Sequence, residues 1–392
     1  MNLCARATNL DGGLFCFLRI GKQLITVLAL CAIGLLAQDH PANVWPSTAQ
    51  AATRNTTLTT SQFEELKAKA ESGDADAQTS LGHAYHAGNG VPANEVLAAQ
   101  WIRKAADQGF ASAENNLGTM YRLGEGVNRD KEEAVRWYEK AARHGSPEGM
   151  FNLGTCYYNG DGVGSNEFTA YDWFLLAEDA GNPVAKDAVE RSATAMSKHD
   201  TSSAYLQIAE MYQKGEQLPK NETQTMRWLR RAADTDSHGK AQLAVHLLTG
   251  PEASRNYAEA LDLCKSAAKD YAPALPCVGF IYRKGLGVPK DTVEALKWYQ
   301  KGAAESDTLC MMVLADMETA GEGTKVDRAS ALIWLFRASQ MRTNGAAAKA
   351  KDLLSQLTPS EMKEVENKLR QMRYEPKKVF DALRAIPAPT NP

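Results

Sequence analysis

Positive charge is not in surplus in this chain of 392 residues: 44 Lys and Arg stand against 47 Asp and Glu, a formal net charge of −3. Residues 1–51 hold three basic and two acidic groups, which leaves the remainder near −4. Broad binding along a phosphate backbone needs a basic stripe, so no nucleic-acid partner is expected. The seven cysteines, at 4, 16, 31, 156, 264, 277 and 310, include no Cys-x-x-Cys pair. His-Glu-x-x-His and Gly-x-Ser-x-Gly are also missing, which removes the usual sequence signs of a zinc protease and of a serine hydrolase. No Ser or Cys has an arguable base partner. The sequence therefore predicts no catalytic residue, no cofactor and no metal.

Long apolar runs are scarce as well. The one run without a charge that stands out, Leu24–Ala37, has 14 residues. That is short for a spanning helix and suits the hydrophobic core of a signal segment. Arg19 and Lys22 precede it, and Ala49-Gln50-Ala51 supplies a small-x-small cleavage site. Residues 1–51 are read as a signal peptide, or as an anchor if uncleaved, which is the one route by which this chain would meet a membrane. Export to a periplasm or cell envelope is the expectation.

What the sequence has in abundance is periodicity. Leu81-Gly82, Leu117-Gly118 and Leu153-Gly154 are 36 residues apart. Tyr85, Tyr121 and Tyr157 keep the same phase, as do Trp101, Trp137 and Trp173 and the terminators Gly109, Gly145 and Gly181. A fixed period of this size marks stacked supersecondary units. Within one unit, Ala113, Leu117, Met120 and Tyr121 fall on one face of a helix, and Ala134, Trp137, Tyr138 and Ala141 on one face of a second. Gly118 lets a neighbouring helix approach the backbone. Gly124-Glu125-Gly126 ends the first helix, because glycine accepts the left-handed C-cap conformation. One helix pair cannot bury its stripe alone, whereas stacked pairs bury each other. The turns Gly88-Asn89-Gly90, Gly124-Glu125-Gly126, Gly160-Asp161-Gly162, Gly285-Leu286-Gly287 and Gly321-Glu322-Gly323 follow helices, so they are read as turns and not as phosphate loops. The tryptophans at 101, 137, 173, 228, 298 and 334 are read as inter-helix core.

The motif Ala-x-x-x-Leu-Gly-x-x-Tyr-x-x-Gly-x-Gly-Val, followed by Ala-x-x-Trp-Tyr-x-Lys-Ala-Ala, resembles the Sel-one-like repeat family, a relative of tetratricopeptide repeats. The match is sharpest at Ala113–Ala142, and weaker copies extend over roughly residues 73–340. The resemblance implies an all-α fold: an α/α superhelical solenoid of about seven helix-turn-helix repeats, used mostly for protein–protein contact. Some secreted relatives carry two cysteines per repeat. This chain lacks that spacing, so no activity is carried over from them. Cys264 and Cys277 could pair across adjacent repeats, or lie as buried small hydrophobes, the default for free cysteine.

The organisation follows the phase. Residues 52–72 are a lead-in and N-terminal cap helix, and 73–181 are repeats one to three. Tyr157 to Tyr212 and Trp173 to Trp228 are each 55 apart, an excess of 19 that falls in 182–200, an insertion or hinge. Repeats four to seven occupy 201–344. C-terminal capping helices and a tail occupy 345–392, with a capping box at Thr358-Pro359-Ser360-Glu361. The seventh copy has Glu318 where the others place tyrosine.

The candidate binding residues are the polar positions of the first helices, one before the Leu and two and five after it. They are Ser80, His83 and His86; Asn116, Thr119 and Arg122; and Asn152, Thr155 and Tyr158. In tetratricopeptide-like stacks these positions face the concave side, and asparagines with an arginine suit an extended peptide backbone. His83 and His86 could share a metal, but the local sequence offers no third ligand. The expectation is a non-enzymatic scaffold or adaptor of the cell envelope that binds a protein or peptide. The alternatives weighed are a secreted hydrolase or penicillin-binding relative, an endoplasmic-reticulum adaptor if the source is eukaryotic, and single-stranded RNA binding by an array of similar period.

Overall fold

A computed structural model describes residues 57–386. The leader reading for 1–51, with Cys4, Cys16 and Cys31, lies outside the described residues, as do residues 52–56 and 387–392. The described residues form nineteen α-helices and two short 3-10 turns, with no strand. None of these helices is long and apolar enough to cross a membrane. The all-α solenoid of helix pairs expected from the period is what forms.

The chain divides into two compact units at Thr225/Met226. In the first, α1 (Thr60–Glu71) precedes three helix pairs: α2 (Ala75–Ala87) with α3 (Glu95–Ala106), α4 (Ala111–Leu123) with α5 (Lys131–Arg143), and α6 (Pro147–Asn159) with α7 (Glu167–Asp179). Then come α8 (Ala185–Ala193) and α9 (Lys198–Lys214). The boundary falls inside α10 (Glu222–Thr235). The second unit continues with α11 (Ser237–Thr249) and α12 (Tyr257–Ala267), α13 (Leu275–Lys284) and α14 (Thr292–Ala304), and α15 (Thr308–Ala320) and α16 (Arg328–Gln340). Three further helices follow: α17 (Ala346–Gln356), α18 (Pro359–Gln371) and α19 (Pro376–Arg384).

Four of the pairs are closed at a glycine of the first helix, Gly82, Gly118, Gly154 or Gly279. A Cβ on Gly118 would lie 2.7 Å from the Tyr138 ring, so the missing side chain is where the partner helix inserts its aromatic. Ile102, Phe174 and Tyr299 make the same insertion onto Gly82, Gly154 and Gly279. Leu117 and Tyr138 are fully buried, each contributing roughly 1.5–3 kcal/mol by leaving water. The second helices start on Asn94, Asp130, Asn166, Asn256, Asp291 and Asp327, whose side chains accept from the backbone N–H three residues on. Such a cap satisfies a donor that the helix itself leaves unpaired.

The tryptophans divide. Trp137, Trp173 and Trp228 are buried as expected, while Trp101, Trp298 and Trp334 are only half-buried. The half-buried rings lie beneath Lys104, Lys301 and Arg337, each three residues on in the same helix. A cation over the ring face shields it from water while keeping its own charge solvated.

The insertion forms α8 and lengthens the start of α9. Both pack against α7, and Ala170–Ala177 become eight consecutive buried residues. At the other end, the expected capping box at Thr358 and Glu361 forms. Val365, Leu369, Val379, Phe380 and Leu383 join Leu332 and Phe336 in one core, covering the last repeat.

Candidate functional site

The nine predicted residues divide by burial. Asn116 is 1% exposed and Asn152 is 8% exposed. The Asn116 side-chain amide donates to His83 Nε2 at 2.8 Å, and the Asn152 amide to Asn115 Oδ1 at 2.8 Å. These bonds run between the first helices of repeats one, two and three. Thr119, also buried, shares a hydrogen bond with the Tyr138 hydroxyl at 3.1 Å, and Arg122 Nε donates to that hydroxyl at 3.3 Å. Asn116, Asn152 and Thr119 thus spend side-chain polar groups inside the stack. They tie repeats and helices together, because an amide in a dry interface must find its partner inside the protein. Burial also pushes the His83 imidazole down to about 4, helped by neighbouring His86, so it accepts from Asn116 as a neutral ring. Thr155 bonds the Phe151 carbonyl within its own helix. Ser80, His86, Arg122, Thr155 and Tyr158 stay half-buried.

The same offsets in the second unit give a different surface. In repeat five they select Gln242, Val245 and Leu248; in repeat six, Cys277, Phe280 and Arg283. Val245 is 46% exposed and Phe280 40%, and Leu309 at the start of α15 is 58% exposed. These side chains, with Leu248, Pro276, Cys277 and Val313, line a cleft of about 370 Å³ across α11, α13 and α15. Asp307 sits at the cleft, its carboxylate accepting from Cys310 N at 2.7 Å as the cap of α15. These residues lie outside the three regular copies and are apolar, so the polar-groove pattern of Asn and Arg does not pick them out. Val245, Leu248, Cys277, Phe280 and Val313 stand at those offsets in the degenerate repeats, while Pro276 and Leu309 lie outside them.

Cys277 is bonded to Cys264 of α12, with Cα atoms 6.0 Å apart. The default of two buried free thiols is corrected: the second helix of repeat five is stapled to the first helix of repeat six, beneath the cleft. Cys156 and Cys310 are free and buried. Burial pushes the Cys156 thiol up to about 12, so it offers no ready nucleophile.

The family model for the Sel1 repeat matches residues 75–110, 111–146, 147–182, 202–236, 237–270, 278–307 and 308–342. The chain belongs to the Sel1 repeat family. Sel1 repeat proteins generally mediate protein–protein interaction, and the family is typically a non-catalytic scaffold. The seven Sel1 matches leave out residues 183–201, the stretch that contains α8. Two solved structures are similar. One is a protective antigen present in uropathogenic Escherichia coli strains and displaying an SLR fold, 25% identical over 85% of this chain and 76% of that one, with a TM-score of 0.39. The other is a Sel1 repeat protein from Oxalobacter formigenes, 24% identical over 76% of this chain and 97% of that one, with a TM-score of 0.31. No curated protein matches the chain.

Proposed function

We propose that this Sel1 repeat protein is a non-enzymatic scaffold of the cell envelope that docks a protein partner through a segment carrying apolar side chains. The observation that carries this reading is the cleft of α11, α13 and α15. A surface that exposes Val245, Phe280 and Leu309 side by side gains by covering them. The second unit, not the asparagines of the first, then supplies the docking face. The Cys264–Cys277 bond supports an oxidising compartment, since such bonds persist outside the cytosol. The signal-like leader points the same way.

Peptides selected from a random display library on the purified chain test the docking face. The expected winners carry spaced large apolar residues. Phe280→Ser and Leu309→Ser each weaken them about tenfold, since each loses roughly 1.4 kcal/mol of buried apolar contact. Binding that ignores both substitutions overturns the cleft as the docking face. Recovery of the native chain in the cytosolic fraction of its source cells overturns the envelope assignment.

A further inference from the structure

The Gly-x-Gly turns do more than end helices. The second glycine of three of them lies on the first residue of the preceding repeat's second helix. A Cβ on Gly126 would fall 2.0 Å from the Glu95 carbonyl oxygen, one on Gly162 2.2 Å from that of Lys131, and one on Gly323 2.3 Å from that of Thr292. The residue between the two glycines is thereby held beside that helix start by backbone packing. In two of these junctions that residue is an acid with a permanent cation beside it. Asp161 pairs with Lys131 Nζ at 2.5 Å, and Glu322 with Arg283 Nη2 at 2.6 Å. Lys131 is the helix-start residue, and Arg283 stands five residues after the Leu position of its repeat.

At the junction of repeats one and two the corresponding places hold Glu125 in the turn, Glu95 at the helix start, and His86 five residues after Leu81. The charge pattern is inverted. Two carboxylates stand where the other junctions have one, and an imidazole replaces the lysine or arginine. His86 Nδ1 lies 2.9 Å from Glu95 Oε2, and one ligand atom from each of His86, Glu95 and Glu125 lies within 4.8 Å of the others. All three residues are half-buried, and they come from three separate segments of two repeats.

We propose that a divalent transition-metal ion of the zinc class binds His86, Glu95 and Glu125, filling the place that lysine or arginine fills at the other junctions. One imidazole and two carboxylates form a nitrogen–oxygen donor set. That set suits zinc, cobalt or manganese better than magnesium or calcium, which favour oxygen alone, or copper(I), which favours sulfur. Tetrahedral zinc with bonds of about 2.0 Å needs ligand atoms roughly 3.3 Å apart, so the glutamates close inward by about 1 Å or more. Half-buried side chains of this length make that adjustment by changing rotamer. The fourth position is left to water. The ion links the first helix and second-helix start of repeat one to the turn of repeat two, so its binding energy adds to the stability of that junction.

No local motif links these ligands: Glu95 begins the helix paired with that of His86, and Glu125 belongs to the turn of the next repeat.

The test is calorimetric titration of the full chain, stripped with a chelator, with Zn²⁺, and absorption spectroscopy with Co²⁺ in its place. One ion per chain with a Kd of about 10 μM or tighter is expected, with cobalt bands typical of low coordination number. Glu125→Gln and His86→Gln each weaken binding about tenfold or more, while His144→Gln, at the His144–Glu114 pair of the next repeat, leaves it unchanged. Zn²⁺ raises the unfolding midpoint of the parent chain but not of Glu125→Gln, whose circular dichroism matches the parent. Affinity and stoichiometry unchanged in Glu125→Gln and His86→Gln overturn the proposal. So does no binding at 100 μM, about tenfold above the expected Kd.

Discussion

Gly126→Ala lowers the stability of the first unit by about 4 kcal/mol, whereas Gly145→Ala lowers it by about 1 kcal/mol. Both glycines have positive φ, +65° and +87°, so both substitutions meet the left-handed penalty of an L side chain, about 1 kcal/mol. Their surroundings differ. Around Gly145 an added Cβ meets nothing within 4 Å. Around Gly126 it meets the Glu95 carbonyl at 2.0 Å from oxygen and 2.5 Å from carbon, and the Ala99 side chain at 3.1 Å. A backbone carbonyl at the start of a capped helix cannot swing aside as a side chain does. The junction of repeats one and two must open, at an overpacking cost of about 1–3 kcal/mol or more. Urea unfolding of the two variants in chelator, followed by far-ultraviolet circular dichroism, measures the difference. Equal midpoints would show that repeats one and two do not stack turn against helix start.

Asp172→Asn abolishes most of a loss of stability that the parent chain suffers between about pH 4 and pH 8. Asp172 is 1% exposed, and neither carboxylate oxygen has a hydrogen-bond partner among the described residues. Burial pushes its carboxyl up to about 8 from an ordinary value near 4. In that window the folded chain holds a proton that the unfolded chain has released. Stability from the neutral form is complete below the unfolded value and is lost as pH rises through the folded one, at up to about 1.4 kcal/mol per pH unit. An asparagine does not titrate. Denaturation midpoints of parent and variant at pH 5 and pH 8 therefore converge at the acidic end and separate at the alkaline end, the variant being the more stable there. Glu318, pushed up to about 7 by burial and by Asp327, contributes in the same direction in both proteins and cancels in the comparison. A constant gap between pH 5 and pH 8 would show that the carboxylate is hydrated after all.

Asp172 also marks where reading by period stops. The residues 36 and 72 positions before it, Arg136 and Gln100, are exposed. An aspartate in their register reads as another solvent-facing polar residue. It is buried because the insertion adds α8 and extends α9, and both lie against α7. Nothing local to Asp172 announces this. The asparagines teach the same lesson in reverse. Asn116 and Asn152 fall where a concave groove would present donors, but neighbouring repeats stand close enough for them to bond His83 and Asn115 instead. In the second unit the equivalent register carries Val245 and Phe280, and there the apolar groups are the exposed ones.

Repetition of Leu-Gly, tyrosine, Gly-x-Gly and tryptophan by itself determined the helix pairs, their order, their caps and the close approach at Gly118. Each of these depends on residues within one or two turns of a helix, and a period repeats local instructions. The tertiary structure alone decided which polar side chains were consumed between repeats, which apolar ones stayed in water, that Cys264 meets Cys277, and that His86, Glu95 and Glu125 converge. Those outcomes depend on how one unit sits on the next. That distance is set by the summed packing of many side chains, and no short stretch of the chain encodes it.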